Sequence, residues 1–273
     1  MTVSLTTPPI IGVFDSGVGG LTVLRALLSR LPGASFVYAG DTARLPYGSK
    51  SRATIARYAT ESARFLVDQG AEFLVIACNT ASALALDEIR EAVTVPVLGV
   101  VDPGAAEAAA HSLTRDCIIL ATSATVESRA YANACAHVGV RAFEKACPLL
   151  VPLVEESWTN HAVTREVTKI YLDEAMEGAA HAGLHPDSIV LGCTHYPLLR
   201  ALFAELVPST IRIVDSAESI ASCVAADFPA AAAQNNASEC SFFATDSVNK
   251  FRALGERFLG RAIPSVQLVD LGG

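Results

Sequence analysis

Short, wholly apolar runs alternate along this chain with longer segments whose apolar residues recur every three or four positions. The runs at 10–14, 36–39, 73–77, 97–101, 118–121, 189–191, 211–214 and 266–269 are rich in Val, Ile, Leu and Phe, and they predict strands. Between the first two, Leu21, Leu24, Leu27, Leu28 and Leu31 form one stripe that Pro32 and Gly33 end, which predicts a helix. A second helix is predicted after Ser51, a good capping residue, with Ile55, Tyr58, Phe65 and Leu66 facing inward. Strands without polar alternation are covered on both faces. The alternation therefore predicts an α/β fold of parallel sheets with helices on either side.

The pattern also repeats. Phe73-Leu74-Val75-Ile76-Ala77-Cys78-Asn79-Thr80 matches Ser188-Ile189-Val190-Leu191-Gly192-Cys193-Thr194-His195, an apolar run that delivers a cysteine to a polar turn. Upstream of each lies a second matching piece, Gly12-Val13-Phe14-Asp15-Ser16 and Ile119-Leu120-Ala121-Thr122-Ser123. Two similar lobes follow, each a mostly parallel sheet flanked by helices, with the active site in the cleft between them. Ligands of such sheets sit beyond the carboxyl ends of the strands. The pattern leaves open whether the strands after Pro208 complete the second lobe or return to the first. The alanine-rich stretch 230–238 reads as a surface loop.

Composition narrows the function. The chain has 273 residues, a net charge of −8 and no basic run, which argues against nucleic-acid contact. Met1 to Pro9 lack the basic segment and apolar core of a secretion signal, and the polar residues Asn79, Thr80 and Ser82 interrupt the longest uncharged stretch, 73–86. No membrane span is expected. Seven cysteines, odd in number and irregularly spaced, fit a reducing compartment better than a disulfide framework, so a cytoplasmic location is expected.

Cys78 and Cys193 stand out because both close equivalent repeats and both enter turns where helix-start N–H groups favour thiolate. Two thiols facing each other suit inversion of a carbon stereocentre, which needs a base on one face and an acid on the other. The other five cysteines lack that setting and read as structural. Asp15-Ser16-Gly17-Val18-Gly19-Gly20 follows the first strand. It is neither a dinucleotide fingerprint nor a Walker motif, so it reads either as a capped tight turn or as a pair of ligand-facing polar residues. Pro46, Tyr47 and Gly48 form a rigid loop whose tyrosine hydroxyl and glycine N–H suit a carboxylate. Asn79 and Thr80, with Thr194 and His195, adjoin the two cysteines and can hold an anion through side chains and N–H groups without Lys or Arg. His195 is better placed to assist Cys193 than to bind a metal, since no second close Cys/His pair completes a zinc set. Glu155 reads locally as a helix-surface charge.

Taken in order, Asp15-Ser16-Gly17-Val18-Gly19-Gly20, the segment Asp41 to Gly48, Ala77-Cys78-Asn79-Thr80-Ala81, Pro152-Leu153-Val154-Glu155, Gly192-Cys193-Thr194-His195-Tyr196-Pro197 and Asp215-Ser216 resemble the glutamate racemases of bacterial peptidoglycan synthesis. The resemblance runs from about residue 10 to the end. It implies cofactor-independent proton transfer between L- and D-glutamate, with no pyridoxal phosphate and no metal. It implies catalytic thiols at Cys78 and Cys193, with Asp15, Glu155 and His195 in support. Substrate contacts would come from Asp15, Ser16, Pro46, Tyr47, Gly48, Asn79, Thr80, Thr194 and His195. It also implies a homodimer and lobes spanning 1–97 with 208–273, and 98–207. The rivals are an aspartate or other racemase of the same superfamily, a pyridoxal-phosphate racemase using one of Lys50, Lys145, Lys169 or Lys250, and a non-catalytic binding protein.

Overall fold

The computed structural model describes residues 9–234 and 238–272. Residues 1–8 lie outside the description, as do residues 235–237 of the alanine-rich stretch. Residues 230–232 of that stretch belong to a short helix, Pro229–Ala232, rather than a loop.

The apolar runs form parallel strands in two sheets. They are β1 (Ile10–Asp15), β2 (Ser35–Gly40), β3 (Phe73–Ile76), β4 (Val97–Gly99), β5 (Asp116–Ala121), β6 (Arg141–Ala146), β7 (Ser188–Gly192), β8 (Arg212–Asp215), β9 (Cys240–Ala244) and β10 (Gln267–Leu268). The first sheet has the order β10-β9-β2-β1-β3-β4 and the second β6-β5-β7-β8. The second sheet thus repeats the order β2-β1-β3-β4, and the strands ahead of Cys78 and Cys193 occupy equivalent places beside a central strand. β9 and β10 extend the first sheet alone.

The sheets divide the chain differently from the expected lobe boundaries. The strand assigned to the first lobe after 208, now β8, pairs with β7 in the second sheet, Val190 opposite Val214. β4, which a boundary at 97 would divide, pairs with β3 in the first sheet. Only the chain from Cys240 onward returns to the first sheet, where Tyr38 pairs with Phe242. The physical reason is the repeat itself, because each lobe needs a strand on the far side of its cysteine strand to cover that edge. β6 and β9 were not visible as apolar runs. Arg141, Glu144 and Lys145 interrupt the first, an edge strand, and only Phe242, Phe243 and Ala244 of the second are buried.

Alternation along the strands separates the cores. Ile11 and Val13 of β1 join Ile118 and Leu120 of β5 in one core that runs through both lobes. Phe14 faces a second core under the helix Arg52–Asp68, while Cys117, Ile119 and Ala121 face a third. The helix Leu21–Arg30 follows the predicted leucine stripe and packs against Ser216–Asp227, which follows β8. Ser51 caps its helix as expected, its hydroxyl accepting from Thr54 N. Ile55 and Leu66 are buried, with Tyr58 and Phe65 half-buried beside them. Among the described residues no helix is long and apolar enough to cross a membrane.

Candidate active site

Every parallel strand points its carboxyl end the same way as its neighbours, so the turns after β1, β3, β5 and β7 collect at one end of each sheet. The two collections face a single cleft of about 740 Å³. Its walls include Ser16, Pro46, Tyr47, Gly48, Cys78, Asn79, Thr80, Glu155, Cys193, Thr194 and His195, all expected from sequence. Asp15, the remaining expected residue, is buried just behind them.

Cys78 caps the short helix Asn79–Leu84. Its sulfur accepts from Ala81 N at 3.4 Å, and its thiol donates to Ser16 Oγ at 3.4 Å. The helix start was expected to favour thiolate. Burial outweighs it, and with the negative charge of Asp15 it pushes the Cys78 thiol up to about 12, against the lowering effect of Ser16 and Ala81. Asp15 is buried as well. Desolvation raises its carboxyl above the usual range, the His195 charge and N–H donors from Gly17 and Gly20 opposing. One oxygen accepts from Gly17 N at 2.9 Å, and the other has no partner among the described residues.

Cys193 is arranged differently. Its turn leads into a 3-10 turn, Tyr196–Leu199, so no α-helix start faces the sulfur. Positive charge comes from His195 instead, whose Nδ1 lies 4.0 Å from Cys193 Sγ and whose Nε2 lies 3.0 Å from Glu155 Oε1. Burial alone would lower the imidazole. Hydrogen bonding to Cys193 and Glu155, with their negative charges, overrides burial and carries His195 up to about 10. Glu155 is correspondingly lowered, chiefly by the His195 hydrogen bond. A residue that reads locally as a surface charge is therefore the outer member of a Cys–His–Glu chain.

The lobes touch at the floor of the cleft. A Cβ on Gly19 would stand 2.2 Å from Thr194 Oγ1 and 2.6 Å from His195 Nδ1, so only glycine lets the first turn approach the second lobe this closely. Thr22 Oγ1 binds Thr194 O at 3.0 Å. Thr80 Oγ1 lies 3.1 Å from Thr122 Oγ1 and 3.4 Å from Thr125 Oγ1, a second bridge between lobes.

Tyr47 departs from its expected use. Its hydroxyl donates to Asp41 Oδ2 at 2.5 Å, and Asp41 is also held by Arg44 and Thr245. The hydroxyl is spent inside the first lobe, and what the loop offers the cleft is its shape and backbone. Sequence reasoning also missed part of the wall. Asp246, Ser247, Lys250, Phe251 and Leu254 line the cleft from the carboxyl-terminal helix Val248–Leu259 and the turn before it. Among the described residues Lys250 is the one Lys or Arg on that wall, and its charge helps lower Glu155. Nothing local marks these positions. Thr122 and Ser123 also line it, and the internal repeat was the signal that could have placed them there.

The family model for Asp/Glu/hydantoin racemases matches residues 11–224. A glutamate racemase from Koribacter versatilis is 50% identical, the alignment covering 97% of this chain and 98% of that protein. Among solved structures, a glutamate racemase isoform from Bacillus anthracis superposes with a TM-score of 0.88 at 34% identity, covering 96% of this chain and 98% of that one. The glutamate racemase of Francisella tularensis in complex with D-glutamate superposes with a TM-score of 0.85 at 34% identity, covering 98% and 99%.

Proposed function

The chain belongs to the Asp/Glu/hydantoin racemase family, and on that premise we propose that it interconverts L- and D-glutamate by proton transfer between two thiols. The observation that carries the reading is the pair Cys78 and Cys193, ending topologically equivalent strands on opposite sides of one cleft. A thiolate on one side removes the Cα proton, becoming a thiol, and the electron pair passes to Cα and its carboxylate. The thiol on the other side then protonates Cα from the opposite face and becomes the thiolate. The enzyme ends with the same number of protons, and the roles are exchanged for the reverse reaction.

The environments of the two sulfurs support a division of labour. Asp15 and Ser16 attend Cys78, while His195 and Glu155 attend Cys193. Burial disfavours charge on Cys78, and the imidazole of His195, its pKa raised, stands beside Cys193. By resemblance to the family, Cys193 would take the proton from L-glutamate and Cys78 from D-glutamate. The buried Asp15 carboxyl, whose charge acts on Cys78, is the group to assist on that side. Asn79, Thr80, Thr194, Ser16 and the Pro46–Gly48 backbone would hold the substrate, and Lys250 supplies positive charge on the wall for a substrate with two carboxylates.

The reading extends to a cytoplasmic enzyme supplying D-glutamate for peptidoglycan, consistent with seven unpaired cysteines, and by family resemblance to a homodimer. Incubation with L-glutamate in D₂O tests the activity. Deuterium should enter at Cα while optical rotation decays to zero. Retention of both the Cα proton and the rotation would leave only a binding protein. Faster exchange with aspartate than with glutamate would move the assignment within the family.

A further inference from the structure

We propose that Tyr131 is a positioning residue of this site, fixing the Asn79 amide so that its Nδ2 donor faces the substrate carboxylate. The proposal rests on the racemase reading above. Tyr131 belongs to the second lobe, on the helix Ala130–His137, and is fully buried. Its hydroxyl crosses to the first lobe and donates to Asn79 Oδ1 at 2.7 Å. Asn79 directly follows Cys78, is itself buried, and lines the cleft. Its Nδ2 has no hydrogen-bond partner among the described residues.

That combination needs explaining. A buried amide donor left unpaired is costly, so such groups are rare unless a ligand satisfies them. With Oδ1 taken by Tyr131, the unpaired group is a donor, the polarity a carboxylate requires. The rotated amide would turn an acceptor toward the carboxylate and repel it. Tyr131 therefore selects which end of Asn79 the substrate meets.

The ring is held as firmly as the hydroxyl. A Cβ on Gly104 would stand 3.3 Å from the ring at Cε1, and one on Gly192 would stand 3.1 Å from Cε2. Gly192 immediately precedes Cys193. Tyr131 thus packs on the strand that delivers one cysteine and holds the side chain next to the other.

Tyr131→Phe removes the hydroxyl and keeps the ring. In the racemising enzyme it should raise KM for both glutamate enantiomers about three- to tenfold, the scale of one hydrogen bond, with kcat changed less. Asn79→Ala should raise KM further, and adding Tyr131→Phe to it should change KM by less than about twofold, because the tyrosine acts only through the amide. An unchanged KM in Tyr131→Phe, or the same extra factor in the Asn79→Ala background, overturns the proposal. If Tyr131→Phe does not fold, the Asn79 side-chain amide resonances of the unaltered ¹⁵N-labelled protein decide, since D-glutamate should shift them and an unmoved signal overturns the assignment. Unaltered enzyme that fails to racemise glutamate sinks the racemase reading itself. Turnover with an indifferent Tyr131→Phe sinks only this inference.

Discussion

Glu155 Oε1 lies 3.0 Å from His195 Nε2, and the other ring nitrogen of His195 faces the sulfur of Cys193 at 4.0 Å. Among the described residues no such His–Glu pair stands behind Cys78, whose neighbours are Ser16 and the buried carboxyl of Asp15. The two halves of a nearly symmetric fold thus support their thiols by different chemistry, and the difference should be visible in kinetics.

Replacing His195 by Asn should lower kcat more for L-to-D than for D-to-L conversion, and Asp15→Asn should do the reverse, each by about ten- to a hundredfold. The enantiomers have equal free energy, so kcat/KM must remain equal in the two directions, and the asymmetry appears as compensating changes in kcat and KM. Separate progress curves from each pure enantiomer measure this. Equal kcat losses in both directions for both variants would refute the division of labour while leaving two-thiol racemisation intact.

Either Cys78→Ala or Cys193→Ala should reduce racemisation by at least ~10²-fold, and up to ~10⁴-fold, with far-UV circular dichroism unchanged. Each variant removes only one buried sulfur from a core of many residues. Near-normal turnover by either variant would exclude the two-base scheme.

The Gly19→Ala methyl would collide with Thr194 and His195, which belong to the other lobe. Relief requires the lobes to separate locally, at a cost of about 1–3 kcal/mol for a forced overpacking. The variant should keep its secondary structure, melt at lower temperature and lose most of its turnover. A melting temperature and rate equal to those of the unaltered protein would show that the approach at Gly19 is not needed.

His195 is carried from its ordinary 6.5 up to about 10 in the fold, so folding is favoured by the proton it holds. The stabilisation is complete below about pH 6.5, where the unfolded chain is also protonated, and is lost as pH rises through 10. Cys78, carried from 9.0 up to about 12, acts with the same sign at higher pH, because only the unfolded thiol ionises readily. Urea midpoints should therefore fall between pH 7 and pH 10, and His195→Asn should flatten the decline. A midpoint that rises over that interval in the unaltered protein would contradict this account of His195.

The parallel α/β class, the internal repeat and the two chemically distinctive cysteines were all legible in the sequence. Each rests on local facts: the periodicity of apolar residues, the recurrence of a strand ending in cysteine, and the polar residues beside it. The reach of each strand's neighbours was not local. β8 follows Pro208 with the same pattern whichever sheet it joins, and only the hydrogen-bonded edge left open by β7 decided its place. The hydroxyl of Tyr47 suits a carboxylate equally well in substrate or in Asp41, and packing chose Asp41. A helix start predicted an easily ionised Cys78, yet the strength of that effect depends on how much water reaches the sulfur, and burial reversed the outcome. Glu155, Lys250 and Tyr131 carry no local mark at all. Glu155 meets His195, 40 positions on, within the second lobe, whereas Lys250 acts on Glu155 from 95 positions away and Tyr131 reaches Asn79 over 52, pairs that meet only because the two lobes pack their strand ends together.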